Sequence, residues 1–132
     1  MIKRAGVKVM NARTKSVSIA KETIEICKEK KYTRNGTVVD ISASLDAAIK
    51  GTKYYPENVP FIINDIYTIP TIEVTNETTA QAAVRLSAIG KTNLVALNFA
   101  SARNQGGGFL SGAQAQEEDL CRASFSKEAS TI

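Results

Sequence analysis

At 132 residues, 43% of them hydrophobic and 23% charged, the chain has room for one domain with a modest core, and this balance excludes intrinsic disorder. Its formal charge of +4 is uneven, because residues 1–53 hold 12 Lys/Arg against 5 Asp/Glu while residues 54–132 hold 5 against 8. Histidine is absent, which removes Ser-His-Asp and Cys-His catalysis and leaves no credible zinc site.

From Ser16 to about Lys30, apolar Val17, Ala20, Ile24 and Cys27 recur at helical spacing among Lys and Glu, and the Lys28-Glu29-Lys30-Lys31 cluster ends this amphipathic helix. Arg34-Asn35-Gly36 suits a hairpin turn, and the β-branched run Thr37-Val38-Val39-Asp40-Ile41 predicts a strand after it. Ser44 is expected to cap a short helix built on Leu45, Ala48 and Ile49, with Gly51 as its stop. The three prolines, Pro56, Pro60 and Pro70, mark the region between residues 54 and 71 as loop. A strand Ile72–Thr75 follows. Thr78 with Gln81 then gives a capping-box pattern for a helix that buries Ala82, Leu86 and Ile89 and stops at Gly90. Leu94-Val95-Ala96-Leu97-Asn98-Phe99 reads as a central strand covered on both faces. Strand, helix, strand, glycine loop, helix is α/β order, and ligands of such sheets bind beyond the carboxyl ends of the strands.

The glycines stand at that place. Asn104-Gln105-Gly106-Gly107-Gly108 leads through Phe109–Ala115 into Gln116-Glu117-Glu118. Glycine N–H groups can approach an anion closely, and a carboxyl group beside them can protonate a leaving oxygen if its surroundings raise its pKa. Each half also has an ordinary explanation. The triple glycine lacks both the P-loop and the dinucleotide spacing, and can be a flexible turn. Glu117 and Glu118 suit the first turn of a helix, where acids offset the macrodipole, and Glu118 with Arg122 makes a common i, i+4 surface pair. Cys27 and Cys121, far apart and outside any CxxC pattern, read as free core thiols of a reducing compartment. No apolar window approaches a membrane span and no h-region follows Met1-Ile2-Lys3-Arg4, so a soluble, cytoplasmic protein is expected.

Together, Asn98-Phe99-Ala100-Ser101-Ala102-Arg103-Asn104, the three glycines and Gln116-Glu117-Glu118 resemble the GGG...QEE signature of microbial-type poly(ADP-ribose) glycohydrolases. Upstream, Glu22-Thr23, Tyr32-Thr33, Val39-Asp40-Ile41-Ser42, Gly51-Thr52 and Val74–Thr79 look like that family's N-terminal half, so the likeness covers roughly residues 10–124. The resemblance implies an α/β fold of macrodomain type, an α/β/α three-layer arrangement with a mixed sheet. It also implies hydrolysis of the ribose–ribose O-glycosidic bond of poly(ADP-ribose). By position, Glu118 is the implied catalytic acid and Glu117 the group that orients the ribose. Gly106, Gly107 and Gly108 would line the diphosphate and ribose with backbone donors, and Asn104, Phe109 and Gln116 complete the implied substrate contacts. An acetal cleavage of this kind needs a proton for the departing oxygen and negative charge near the oxocarbenium-like sugar. Glu118 and the substrate's own diphosphate can supply them, without cofactor or metal. Glu117 beside it would raise the Glu118 pKa.

Gln105 departs from the family's usual proline before the glycines, and the chain diverges from the pattern after Ser124. A single partial domain is therefore expected, with residues 1–70 as an N-terminal helical extension and 71–132 carrying strand, helix, strand, catalytic loop and final helix. The expected partners are poly(ADP-ribose) or ADP-ribose and ADP-ribosylated proteins, with no membrane. Two other readings stay open: an ADP-ribose- or phosphate-binding remnant without catalysis, and a fragment that self-associates through an exposed sheet edge.

Overall fold

The computed structural model describes residues 11–58, 60 and 69–124. Residues 1–10, part of the loop expected between 54 and 71, and the divergent stretch 125–132 lie outside the described residues.

Helix α1 spans Ala12–Glu29, four residues earlier than its apolar stripe suggests. Asn11 sets the start: its Oδ1 accepts the Thr14 N–H at 2.8 Å, which satisfies one of the donors a helix leaves open at its first turn. The helix turns Ser16, Ala20 and Cys27 inward and ends where Lys30 takes a left-handed conformation at φ 54°. Strands β1 (Lys31–Arg34) and β2 (Thr37–Asp40) pair antiparallel, from Arg34↔Thr37 at the turn to Lys31↔Asp40 at the open end. Asn35 and Gly36 between them both have positive φ, 50° and 79°, as the two-residue turn that matches strand twist requires.

Helix α2 occupies Ser42–Gly51. Its start corrects the expected Ser44 cap, because the N-cap is Ile41, which has no side-chain cap bond, and Asp40 Oδ1 accepts the Ser42 N–H at 2.7 Å where the helix begins. Gly51 is its last residue rather than a left-handed stop, and Thr52 closes the end through Oγ1 to the Ala48 carbonyl at 3.0 Å. Helix α3 (Thr79–Ala88) has the capping box in full: Thr78 N–H donates to Gln81 Oε1 at 2.8 Å and Gln81 N–H to Thr78 Oγ1 at 3.2 Å. Gly90, at φ 81°, ends it as expected. Helix α4 (Gln116–Ala123) follows the glycine loop, and a short 3-10 turn, Phe109–Ser111, lies between.

The chain is thus α/β, with helices beside a two-stranded antiparallel sheet. Neither Ile72–Thr75 nor Leu94–Phe99 joins a sheet among the described residues, so both expected strands are corrected there. Val74 is 93% exposed and Val95 96%, the opposite of a strand covered on both faces. An apolar run specifies what a strand would bury, but a ladder exists only where a second strand meets it. Likewise α3 buries none of its residues, and Ile89 is largely exposed. The core sits elsewhere, where Phe109 and Cys121 pack on Ala20 of α1, with Ile24 beside them.

Candidate active site

After the apolar segment, Ser101 turns the chain. Its Oγ accepts the N–H groups of Arg103 at 3.4 Å and Asn104 at 3.2 Å. The Asn104 carbonyl accepts the Gly107 N–H at 2.9 Å, and Gly106 and Gly107 take φ values of 77° and 54°. Such angles are costly for residues with a Cβ, so the tight path belongs to glycine. The 3-10 turn then directs the chain back, with Gly112 at φ 82° accepting the same role at its far end.

Helix α1 and helix α4 hold this loop from two sides. Arg13 Nε donates to the Ser111 carbonyl at 2.9 Å, and a Cβ on Gly112 would stand 2.7 Å from the Arg13 carbonyl oxygen. From α4, Arg122 Nη1 donates to the Ala113 carbonyl at 2.6 Å, while Thr23 of α1 donates through Oγ1 to the Arg122 carbonyl at 2.9 Å. Phe109, 2% exposed, is the apolar pin under the loop. Its ring therefore belongs to the core, and Phe109 also borders a hollow of about 260 Å³ together with Gln105, Gly107, Gly108, Leu110 and Ser111.

Against this loop lie the two carboxylates. Glu117 is 6% exposed and Glu118 8%, so neither is a solvated helix-end charge. Glu117 Oε1 accepts the Gly106 N–H at 2.9 Å and its Oε2 the Ser101 N–H at 2.8 Å. Glu118 Oε1 accepts the Gly108 N–H at 2.9 Å, whereas its Oε2 is buried without a hydrogen-bond partner among the described residues. The glycine donors are thus spent inside the protein, on Glu117, on Asn104 and on Glu118. This differs from their expected use as phosphate donors. The reason for glycine here is proximity, since a Cβ on Gly107 would overlap Glu118 Oε1 and come within 3.1 Å of Glu117 Oε2.

The same geometry decides the charge of Glu118. The Gly108 N–H holds its carboxyl below the usual value of 4.5; burial pushes the other way, and Arg122 reinforces the lowering. The expected upward push from Glu117 is therefore not the ruling influence. Arg122 acts on Glu118 through space only, because its guanidinium is turned to Ala113, so the expected surface pair does not form.

Gln116 is turned to the protein as well. Its Oε1 accepts the Phe99 N–H at 2.8 Å, and its Nε2 donates to the Leu97 carbonyl at 2.7 Å and to Thr79 Oγ1 at 3.2 Å. Asn104 is exposed at the loop's entrance. Ser101, Arg13 and Gly112 were not singled out by the sequence. A serine closing an apolar run was the available signal for the first, but the other two act across 98 residues or nearly so, beyond any local pattern. A larger cleft of about 590 Å³ is lined by Glu77, Thr78, Asp119 and Arg122 among others and does not include Glu117 or Glu118. The loop-side hollow does not include them either, but it is lined by Gly107 and by Gly108, whose N–H holds Glu118, and is the better candidate for that reason. No group of three metal-ligating side chains gathers among the described residues.

Comparison with known proteins bears on this arrangement. The family model of the microbial-type PARG (poly(ADP-ribose) glycohydrolase) catalytic domain matches residues 20–126. Among solved structures, the chain is similar to the crystal structure of poly(ADP-ribose) glycohydrolase from Thermomonospora curvata, at 39% identity and a TM-score of 0.77, over 88% of this chain and 45% of that one. It is equally similar in sequence, 39% identical, to that organism's enzyme bound to the inhibitor ADP-HPD, with a TM-score of 0.74 over 88% of this chain and 43% of that one. The chain thus spans less than half the length of the structures it matches. None of the curated proteins matches it.

Proposed function

The chain belongs to the microbial-type poly(ADP-ribose) glycohydrolase family, and from that premise we propose that it hydrolyses the ribose–ribose O-glycosidic bond of poly(ADP-ribose), with Glu118 as general acid and base. The observation that carries this reading is the division of labour between the two oxygens of Glu118. Oε1 is held by the Gly108 N–H, while Oε2 is buried and unpartnered. When the carboxyl is neutral, the held oxygen serves as its carbonyl and the proton sits on Oε2. Substrate that covers the site removes water and favours this neutral form, against the lowering that Gly108 imposes in the open site.

The reaction then runs in two proton transfers. Oε2–H protonates the glycosidic oxygen as the C1–O bond breaks, and the departing ribosyl unit leaves as an alcohol. Positive charge builds on C1, where the substrate's own diphosphate offsets it. Water adds to C1 and gives its proton to the Glu118 carboxylate, which restores the acid. Glu117 keeps one lone pair on each oxygen beyond its bonds to Gly106 and Ser101, enough to accept ribose hydroxyls. Gly106, Gly107 and Gly108 let the sugar come close, and Asn104 contacts it from the loop's entrance.

Release of ADP-ribose from purified poly(ADP-ribose) by the folded 132-residue chain, beside its Glu118→Gln variant, tests the reading. Release by the parent that is lost in an equally folded variant is the expected result. No release by the folded parent overturns it. The lowered Glu118 carboxyl favours a second reading, ADP-ribose binding without turnover, which saturable binding with no product would support.

A further inference from the structure

We infer that Gln116 is a positioning residue, whose side-chain amide stands in for a neighbouring strand and fixes where the two glutamates meet the glycine loop. Leu97 and Phe99 are two residues apart, so in a strand the carbonyl of one and the N–H of the other emerge on the same edge. Those are the two groups that Gln116 engages, Leu97 O through Nε2 and Phe99 N–H through Oε1. A primary amide offers a donor and an acceptor at the spacing of a peptide group, and it meets that edge as a strand would. The second hydrogen on Nε2 reaches Thr79 at the start of α3, so one side chain joins α3, α4 and the segment between them.

The arrangement closes on itself. Two residues past Phe99, the Ser101 N–H donates to Glu117 Oε2, and Glu117 follows Gln116 directly in α4. Hydrogen bonds at both ends of the short stretch Phe99–Ser101 therefore tie it to consecutive residues of one helix turn. That helix has no side-chain cap at Ala115, so the external bonds of Gln116 set the position of its first turn. A shift there moves Glu117 and Glu118 together against Gly106 and Gly108. Glutamate at position 116 would keep the acceptor for Phe99 and lose both donors, while methionine would keep the length and lose every bond.

The effect on hydrolysis rests on the glycohydrolase reading, but the positioning itself is measured without turnover. Amide hydrogen exchange is followed by NMR in the parent, Gln116→Met, Gln116→Glu and Thr79→Val. In Gln116→Met, exchange at Phe99, Ser101 and Gly106 is expected to rise about tenfold or more, while Ile24 in α1 stays within about twofold. Gln116→Glu should fall between that variant and the parent. Thr79→Val, which removes a single bond, should shift the same amides less, and it decides the matter should the Met variant not fold. If the parent is active, kcat falls in Gln116→Met with KM unchanged. Unchanged exchange at Ser101 and Gly106 overturns the inference, as does an equal rise in α1, which marks general destabilisation. A parent that releases no ADP-ribose defeats the hydrolase reading alone, and the exchange data still judge Gln116.

Discussion

A methyl group on Gly107 tests the claim that bare backbone at this loop exists to admit carboxylates. Gly107→Ala meets two costs. The residue sits at φ 54°, and holding an L-residue with a side chain in that region costs about 1–2 kcal/mol. The new Cβ would also overlap Glu118 Oε1, an atom buried and held by the Gly108 N–H. Moving that oxygen breaks a hydrogen bond to a charged group, roughly 1.5–3 kcal/mol. A total loss of about 2.5–5 kcal/mol is expected. Gly90→Ala separates the two contributions, because Gly90 has φ 81° and nothing within 4 Å of the added Cβ. It should lose only the backbone part, about 1–2 kcal/mol. Urea unfolding of both variants at constant m-value gives the comparison, and ADP-ribose binding or release shows whether Glu118 has moved. If Gly107→Ala is no less stable than Gly90→Ala, the carboxylate is not held as described and the reasoning fails.

Three further outcomes follow from the same geometry. Gly112→Ala adds a Cβ 2.7 Å from a backbone oxygen of Arg13, which cannot swing aside as a side chain can. A loss of roughly 2–5 kcal/mol is expected in urea unfolding, and near-neutrality would show that α1 does not press on the loop. Thr78→Ala removes one arm of the α3 capping box and should lose about 1 kcal/mol, because the site is exposed and well formed; no loss in α3 hydrogen-exchange protection would refute it. On the acid side, the folded Glu118 carboxyl lies below the ordinary 4.5, so at intermediate pH the unfolded chain binds more protons. Stability from this group is therefore present above that ordinary value and is lost as pH falls through the folded one. Glu118→Gln should flatten the acid limb of the stability profile, and parallel limbs in parent and variant would contradict it.

Much of the helical architecture was legible because its signals are local. Thr78 and Gln81 predict a capping box that forms with both bonds, and Asn35-Gly36 predicts the hairpin turn whose two positive φ values the structure has. The α2 cap was placed at Ser44 although Ile41 holds that position, since Asp40, Ser42 and Ser44 are all short polar residues able to hold a first turn and only the fold selects among them. The Leu94–Phe99 run carried the right composition for a strand, but a partner strand is a non-local fact that composition does not hold. At the site, the residues were legible and their bonds were not. The glycines and glutamates were paired by their place in the sequence, yet which donor each carboxylate would take depended on the left-handed turns at Gly106 and Gly107. The charge of Glu118 depended on that choice in turn, so the expected direction of its pKa did not survive.

The contacts between α1 and the glycine loop have a consequence in time. Arg13 reaches Ser111 across 98 residues of chain, Ser16 reaches Gln114 across 98, and Thr23 reaches Arg122 across 99. Closing a loop of that length costs on the order of 4 kcal/mol in chain entropy before any contact repays it. On the ribosome, α1 emerges before the glycine loop and must wait for that loop to be made before its inner face is covered. Until then Ala20 and the ring site for Phe109 stay open to water or to a chaperone. The core beneath the glycine loop thus closes only once α1 and the loop have met, whereas the bonds of the two glutamates to Ser101, Gly106 and Gly108 span no more than 16 residues and need no such meeting.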